Sequence, residues 1–292
     1  MVRRRIAEEP ISTLAVWARR VALFSLAATF VAIVIVRSGA LDIVPALSTL
    51  AGALLLAAVA ILLAAAAGVV IWREGFGGLR QAVIAAFIGF ALIAYPAYLG
   101  ARAYQLPPIY DVTTDPIDPP QFDAIARLRP RDANSVVYQG LYAAELQHTA
   151  YPDIEPEDTS ATPQEAFDVA MKVIARRRWR VVDARPPQPP TGRTPADIAA
   201  SDGIIEAVAR TLVLGFPEDV VVRVRATADG SRIDVRSASR YGRNDIGSNA
   251  ERVRDLISDI DDILSAPAPE KEVPTKPVRP NHTPGRGRSV RR

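Results

Sequence analysis

The chain has 292 residues, 35 Lys and Arg against 32 Asp and Glu, a net charge of +3, 49% hydrophobic residues and no cysteine. Without cysteine there is no disulfide framework, thiolate metal site or thiol nucleophile, and the nearly balanced charge gives no reason to expect nucleic acid. The length allows one or two folded units, yet the apolar residues crowd before residue 102 and the charges after it.

The first 101 residues read as a membrane anchor with helices at about 17–37, 46–72 and 81–101. Val21–Val36, Ile43–Trp72 and Gln81–Ala101 carry no charged side chain, and a bilayer core needs roughly 20 such residues. The first stretch is short for this, and Trp17, Arg19 and Arg20 extend it at the interface. It has a basic start like a signal peptide, but lacks a small-residue cleavage site and runs on into membrane-grade sequence, so we read it as retained. Pro45 places the start of the second helix near Ala46 or Leu47, and Pro96 sits one turn from the end of the third.

Orientation follows from the flanking cations. Arg3, Arg4, Arg5, Arg19, Arg20, Arg73 and Arg80 lie on one side, and Arg37 and Arg102 on the other. The positive-inside rule then puts the N-terminus in the cytoplasm and everything beyond Arg102 outside, in the periplasm of a bacterium with the helices in its inner membrane. The apolar stretches hold no ionisable residue of the kind that marks channels and pumps, and their glycines and alanines suit close helix packing.

Residues 102–135 read as an extended, proline-rich linker or strap, held by Pro107-Pro108, Pro116 and Pro119-Pro120. Residues 136–265 read as an α+β domain. Thr162, Pro163 and Glu165 form the start signal of a helix with an apolar face at Ala166, Phe167, Ala170, Met171 and Ile174. Strands are expected at Trp179–Asp183, Gly203–Leu212, Asp219–Ala228 and Ser231–Ser239. Asp229-Gly230 reads as a two-residue hairpin turn. A last helix starts near Ser248 with Glu251 completing a capping box, and carries an apolar stripe at Val253, Leu256, Ile257, Ile260, Ile263 and Leu264. Helix, four strands and helix give an antiparallel four-stranded sheet packed by helices. Residues 266–292 form a basic, proline-rich tail without the apolar side chains needed for a core, expected to be disordered.

A two-residue hairpin loop would set Val224 opposite Val235 and Arg225 opposite Asp234. It would also set Arg223 opposite Arg236, an unfavourable like-charge pair. Glu206, alone among apolar residues in its strand, is the expected neutraliser. Arg240, Arg243 and Asp245 follow in the turn before the last helix, whose N-terminus suits an anion. Glu206, Arg223, Arg236, Arg240, Arg243 and Asp245 are therefore candidate ligand-binding residues. The competing reading is a structural network in which Glu206, Asp219, Asp234 and Asp245 neutralise the arginines.

The segments from Gly203 to Arg210, from Phe216 to Arg225 and from Asp234 to Ala250 resemble the family called domain of unknown function 1499. The stretch Val235-Arg236-Ser237-Ala238-Ser239-Arg240-Tyr241-Gly242-Arg243-Asn244-Asp245-Ile246-Gly247 carries most of the likeness. The resemblance spans roughly residues 107–264 and implies a domain with no assigned activity, so it brings no catalytic residue with it.

The sequence points to a non-enzymatic envelope protein whose partners are the bilayer and an anionic ligand or a membrane protein. Its alternative is a scaffold subunit of a membrane complex. A hydrolase using Ser237 or Ser239 with His148 is a remote alternative, since no nucleophile-elbow pattern surrounds either serine. No catalytic residue, cofactor or metal is expected. The acids at Asp255, Asp259, Asp261 and Asp262 read as a solvated helix face.

Overall fold

The structure is a computed structural model that describes residues 10–266 except 193, 195, 196 and 198; the basic tail expected from 266 onward lies almost wholly outside the described residues. Three long apolar helices come first, α1 (Thr13–Ser38), α2 (Ile43–Glu74) and α3 (Leu79–Gln105), each long enough to cross a bilayer. Each exceeds its uncharged stretch by part of a turn or more, because a helix continues until a cap stops it. Gly39 (φ 65°) and Gly75 (φ 69°) end α1 and α2 in the left-handed conformation.

Pro45 does not delay α2 to residue 46 or 47. It sits in the first turn after Asp42, where no backbone N–H has an intrahelical partner to lose.

The helices meet along small residues. Ala15, Ala18 and Ala22 of α1 pack with Ala60, Ala64 and Ala67 of α2 and Ala82 and Ala85 of α3. At Gly89 a Cβ would lie 2.5 Å from Ile61 and 3.0 Å from the Ala57 carbonyl, so only glycine admits this approach. Phe24, Phe30, Leu55, Leu62, Phe87 and Phe90 face outward, as expected of side chains whose solvent is lipid.

Beyond α3 come β1 (Asp111–Thr113), α4 (Ala124–Leu128), α5 (Leu141–Ala150), β2 (Glu157–Thr159), α6 (Pro163–Arg176), β3 (Arg180–Arg185), β4 (Gly203–Arg210), β5 (Pro217–Ala226), β6 (Ser231–Ser239) and α7 (Ser248–Leu264). The sheet is antiparallel with order β1-β6-β5-β4-β3, and β2 also pairs with β6. It has six strands rather than four. The additional β1 and β2 have three residues each, too few to show an alternating pattern, and they form by pairing with a long neighbour.

Strand alternation sorts the two faces. Val220, Val222 and Val224 of β5 and Ile233 and Val235 of β6 pack under Phe167, Ala170, Val173 and Ile174 of α6 and Val253, Leu256 and Ile260 of α7. The opposite face holds Val208, Val221 and Ala238 against Phe122 and Ile125. The segment from β1 to α4 thus lies across that face. α6 starts with the capping box read from its sequence, Thr162 Oγ1 accepting from the Glu165 N–H and Glu165 Oε2 accepting from the Thr162 N–H.

Two further expectations are corrected. The hairpin loop has four residues, Thr227–Gly230, so Val222 faces Val235 and Arg223 faces Asp234, while Arg225 faces Arg232. A shift of two keeps every side chain on its expected face but changes its partner. Gly230 is required for a different reason than a tight turn, since a Cβ there would run into the Thr159 carbonyl of β2. The second correction concerns α7. Glu251 does not close a capping box with Ser248; Gly247 is the N-cap, and Glu251 reaches the Arg102 guanidinium at 3.1 Å.

Candidate functional site

The six candidate residues do not converge on one point. Arg236 is fully buried on the strap side of the sheet. Its Nε and Nη2 donate to the two Asp111 oxygens at 3.0 and 2.7 Å. Nη1 donates to the Pro120 carbonyl and Nη2 to that of Val136, both at 2.8 Å, and the Phe122 ring lies 4.7 Å from the guanidinium carbon. Burial pushes the Asp111 carboxyl up, against the pull of Arg236. Arg240 donates from Nη2 to Asp219 at 2.7 Å, and Arg129 donates to the same carboxylate at 2.6 Å.

Arg223 pairs with Asp234 and with Asp118, at 3.0 Å each. Arg225 shares both carboxylates, at 2.8 and 3.0 Å, which relieves its position opposite Arg232. The opposition of Arg223 and Arg236 that motivated an anion site is therefore not present. Glu206 does not neutralise these arginines. Its carboxylate accepts the N–H groups of Asp123, Ala124 and Ile125 at 3.0, 2.9 and 2.8 Å, satisfying the first turn of α4, and among the described residues the nearest guanidinium is that of Arg185 at 3.9 Å. Arg243 is exposed. Asp245 caps α7, accepting from Gly247 N at 3.0 Å and Asn249 N at 2.8 Å.

Asp245 leads to a second region. A cavity of about 440 Å³ lies where the helix ends meet the domain. Ile43 and Leu47 of α2 and Tyr95, Tyr98 and Leu99 of α3 form one wall, and Leu212, Leu214 and Phe216 of the β4–β5 loop form another. The junction is tied together by Arg37, which donates to the carbonyls of Leu212 and Val213. It is also held by Asn244 Nδ2, 3.0 Å from the Ala103 carbonyl, and by the Arg102–Glu251 pair.

Glu218, Ser239 and Asp245 supply polar groups to the lining. Glu218 is 4% exposed and falls on the helix-facing side of β5, in phase with Val220 and Val222. The Ser239 hydroxyl donates to Glu218 Oε2 at 2.6 Å, and Arg252 approaches that oxygen at 3.6 Å. Burial pushes the Glu218 carboxyl up to about 7, and pushes Asp245 up as well. Asn249 joins the network, its Nδ2 donating to Ser239 Oγ at 3.0 Å and its Oδ1 accepting from Ser237 at 2.8 Å. Arg252 Nη1 donates to Asn249 Oδ1 at 2.7 Å and to Ser237 Oγ at 2.9 Å. None of these serine bonds involves His148, which is exposed on α5.

Ile246 also lines the cavity, and does so at φ 56°. A β-branched residue in the left-handed region is strained, and here Asn244 Oδ1 holds it by accepting its N–H at 2.7 Å. Glu218 and Arg252 were not among the residues singled out in the sequence. The signal for Glu218 was present, since an acid stands in the phase of an apolar stripe. Arg252 has no comparable sign, because on a helix it reads as one more solvated cation.

A family model described as a protein of unknown function (DUF1499) covers residues 111–260. No curated protein and no solved structure matches. The match begins at the aspartate that holds Arg236 and ends in the last helix that packs on the sheet, so it embraces the sheet and the polar network alike. On that coverage the chain belongs to the DUF1499 family, carried here behind three helices of membrane-spanning length.

Proposed function

We propose that this protein is a non-enzymatic binding protein of the bacterial inner membrane, with its N-terminus in the cytoplasm and its α+β domain in the periplasm. The ligand of the junctional cavity is a membrane lipid. The observation that carries this reading is the shared construction of the cavity. One wall belongs to the ends of helices long enough to span a bilayer, the other to the domain.

Helix ends lie where acyl chains give way to head groups, and tyrosines such as Tyr95 and Tyr98 suit that depth. The opening is therefore within reach of a lipid without its leaving the bilayer. The volume falls in the usual range for small-molecule sites, roughly 300–1,000 Å³. That suffices for a head group and the upper part of a chain, with the rest of the lipid remaining in the membrane. The polar network offers hydrogen bonds at the inner end, and the apolar wall accepts methylenes. The arginine face supports the reading of a structural network, because each guanidinium there already has its carboxylate.

Two measurements test this. Because the chain has no cysteine, a single cysteine at Asp229 in the hairpin loop reports its side of the membrane. A membrane-impermeant maleimide that labels spheroplasts before lysis supports the orientation, and labelling only after lysis rejects it. For the ligand, native mass spectrometry of the full chain from nanodiscs should show retained lipid that Leu99→Trp, which puts a larger side chain into the cavity, reduces. Retention that Leu99→Trp leaves unchanged would reject the lipid reading.

A further inference from the structure

We infer that Glu218 and Ser239 select the head group of the bound lipid, and that this head group is a hydrogen-bond donor without net negative charge. The inference rests on the lipid reading above and sharpens it to a ligand class.

Glu218 Oε2 is engaged by Ser239 and faces Arg252. Oε1 accepts no hydrogen bond among the described residues, although the side chain is almost fully buried and lines the cavity. A carboxylate oxygen with open lone pairs in the lining of a cavity offers an acceptor to a donor that enters it. Ser239 fixes the carboxyl orientation and is itself held by Asn249 at 3.0 Å. The acceptor is thus positioned before a ligand arrives, which limits the ordering cost of binding.

Charge excludes a phosphate-only head. Glu218, Asp245 and Glu251 line the cavity with Arg102 as the sole lysine or arginine among the lining residues, and Arg102 is engaged by Glu251 at 3.1 Å. Arg252, behind Glu218, is committed to Ser237 and Asn249. A net-negative head group would meet three carboxylates against a single lining guanidinium that Glu251 already engages. An ammonium or a sugar hydroxyl meets an acceptor instead. These two sources share the same chemistry and differ in their response to pH. Glu218 titrates near 7, in the field of Arg252 from α7, Asp245 from the preceding loop and Asp219 from its own strand. Arg102, Glu251, Tyr95, Tyr98 and Tyr241 complete the ionisable groups around the cavity. An ammonium loses its counter-charge as Glu218 protonates, whereas a hydroxyl can bond to either form.

The test uses the full chain in nanodiscs containing phosphatidylethanolamine, diglucosyl diacylglycerol, phosphatidylglycerol and cardiolipin, with the retained lipid read by native mass spectrometry at pH 8 and pH 6. We expect the ethanolamine or glucosyl lipid to be enriched about tenfold over the anionic lipids, the size of one charge-assisted hydrogen bond. Glu218→Gln should reduce that preference severalfold without reducing total lipid. A preference that weakens at pH 6 identifies the ammonium, and one that persists identifies the hydroxyl. Enrichment of phosphatidylglycerol or cardiolipin, or a preference unchanged in Glu218→Gln, overturns the inference while leaving lipid binding intact. Lipid that is absent, or indifferent to Leu99→Trp, rejects the lipid reading itself. If Glu218→Gln does not fold, the head-group order of the wild type decides alone.

Discussion

The sharpest stability prediction concerns Glu218. Its carboxyl titrates at about 7 in the folded protein against 4.5 for a free glutamate. Burial is the chief cause; Arg252 and the Ser239 hydroxyl pull the other way and do not compensate for it. A raised carboxylate value means that the folded state holds the proton more tightly than the unfolded state. Stability is then greatest below about 4.5, falls as pH rises towards 7, and levels off above that. A difference of about 2.5 units corresponds to roughly 3 kcal/mol. Glu218→Gln keeps the acceptor for Ser239 and removes the titration. It should flatten the pH dependence by that amount and raise stability at pH 8. For a domain of this size, roughly 3 kcal/mol is a melting shift of about 6–12 °C. The assay is thermal unfolding in detergent between pH 5 and pH 8. It follows Trp179 fluorescence in a background where Trp17 and Trp72 are phenylalanine. Asp202 at about 6 also titrates in this window, so the informative quantity is the difference between variant and parent. Parallel melting curves for the two, or a variant less stable at pH 8, would refute the reasoning.

Other positions give distinct signatures. Arg236→Lys keeps a positive charge but loses the two-pronged bond to Asp111 and the contact with Phe122; thermal melts should show a loss of about 3–5 kcal/mol, against less than about 0.5 for the exposed Arg243→Gln. Glu206→Gln weakens the anchorage of α4 by about 1–2 kcal/mol, and limited trypsin digestion should cut faster after Arg127 within that helix. Gly230→Ala drives a methyl group into the Thr159–Ser160 backbone, so hydrogen exchange should show β2 released from β6 while β4 and β5 stay protected. Ile246→Gly relieves the left-handed strain but removes cavity lining; the melting temperature should change little while lipid retention falls.

Features governed by local chemistry were legible in the sequence. Uncharged stretches marked the three helices, Thr162, Pro163 and Glu165 marked the start of α6, and alternation in β5 and β6 separated the two faces of the sheet. What escaped depends on distant neighbours. Hairpin register is fixed where β2 presses on Gly230, some seventy residues apart in the chain, as the Ser231–Ala161 bond illustrates. Glu206 looked like a counter-ion because its strand gives no hint that a short helix is laid over it. Asp111 looked like part of a proline-rich spacer, and only the folded sheet brings it to Arg236. The cavity was invisible because its walls come from α2, α3 and two domain loops, and each apolar residue there reads simply as membrane or core.

Photo-crosslinking in intact membranes bears most directly on the cavity as a lipid site. Benzoylphenylalanine in place of Leu214, which lines the cavity, should attach to lipid on irradiation. The same probe at Asp229 should not, because the loop after β5 lies a ten-residue strand away, roughly 30 Å from the end of the domain that meets the helices. Lipid adducts at Leu214 alone are the outcome we predict; equal adducts at both sites, or none at Leu214, would contradict it.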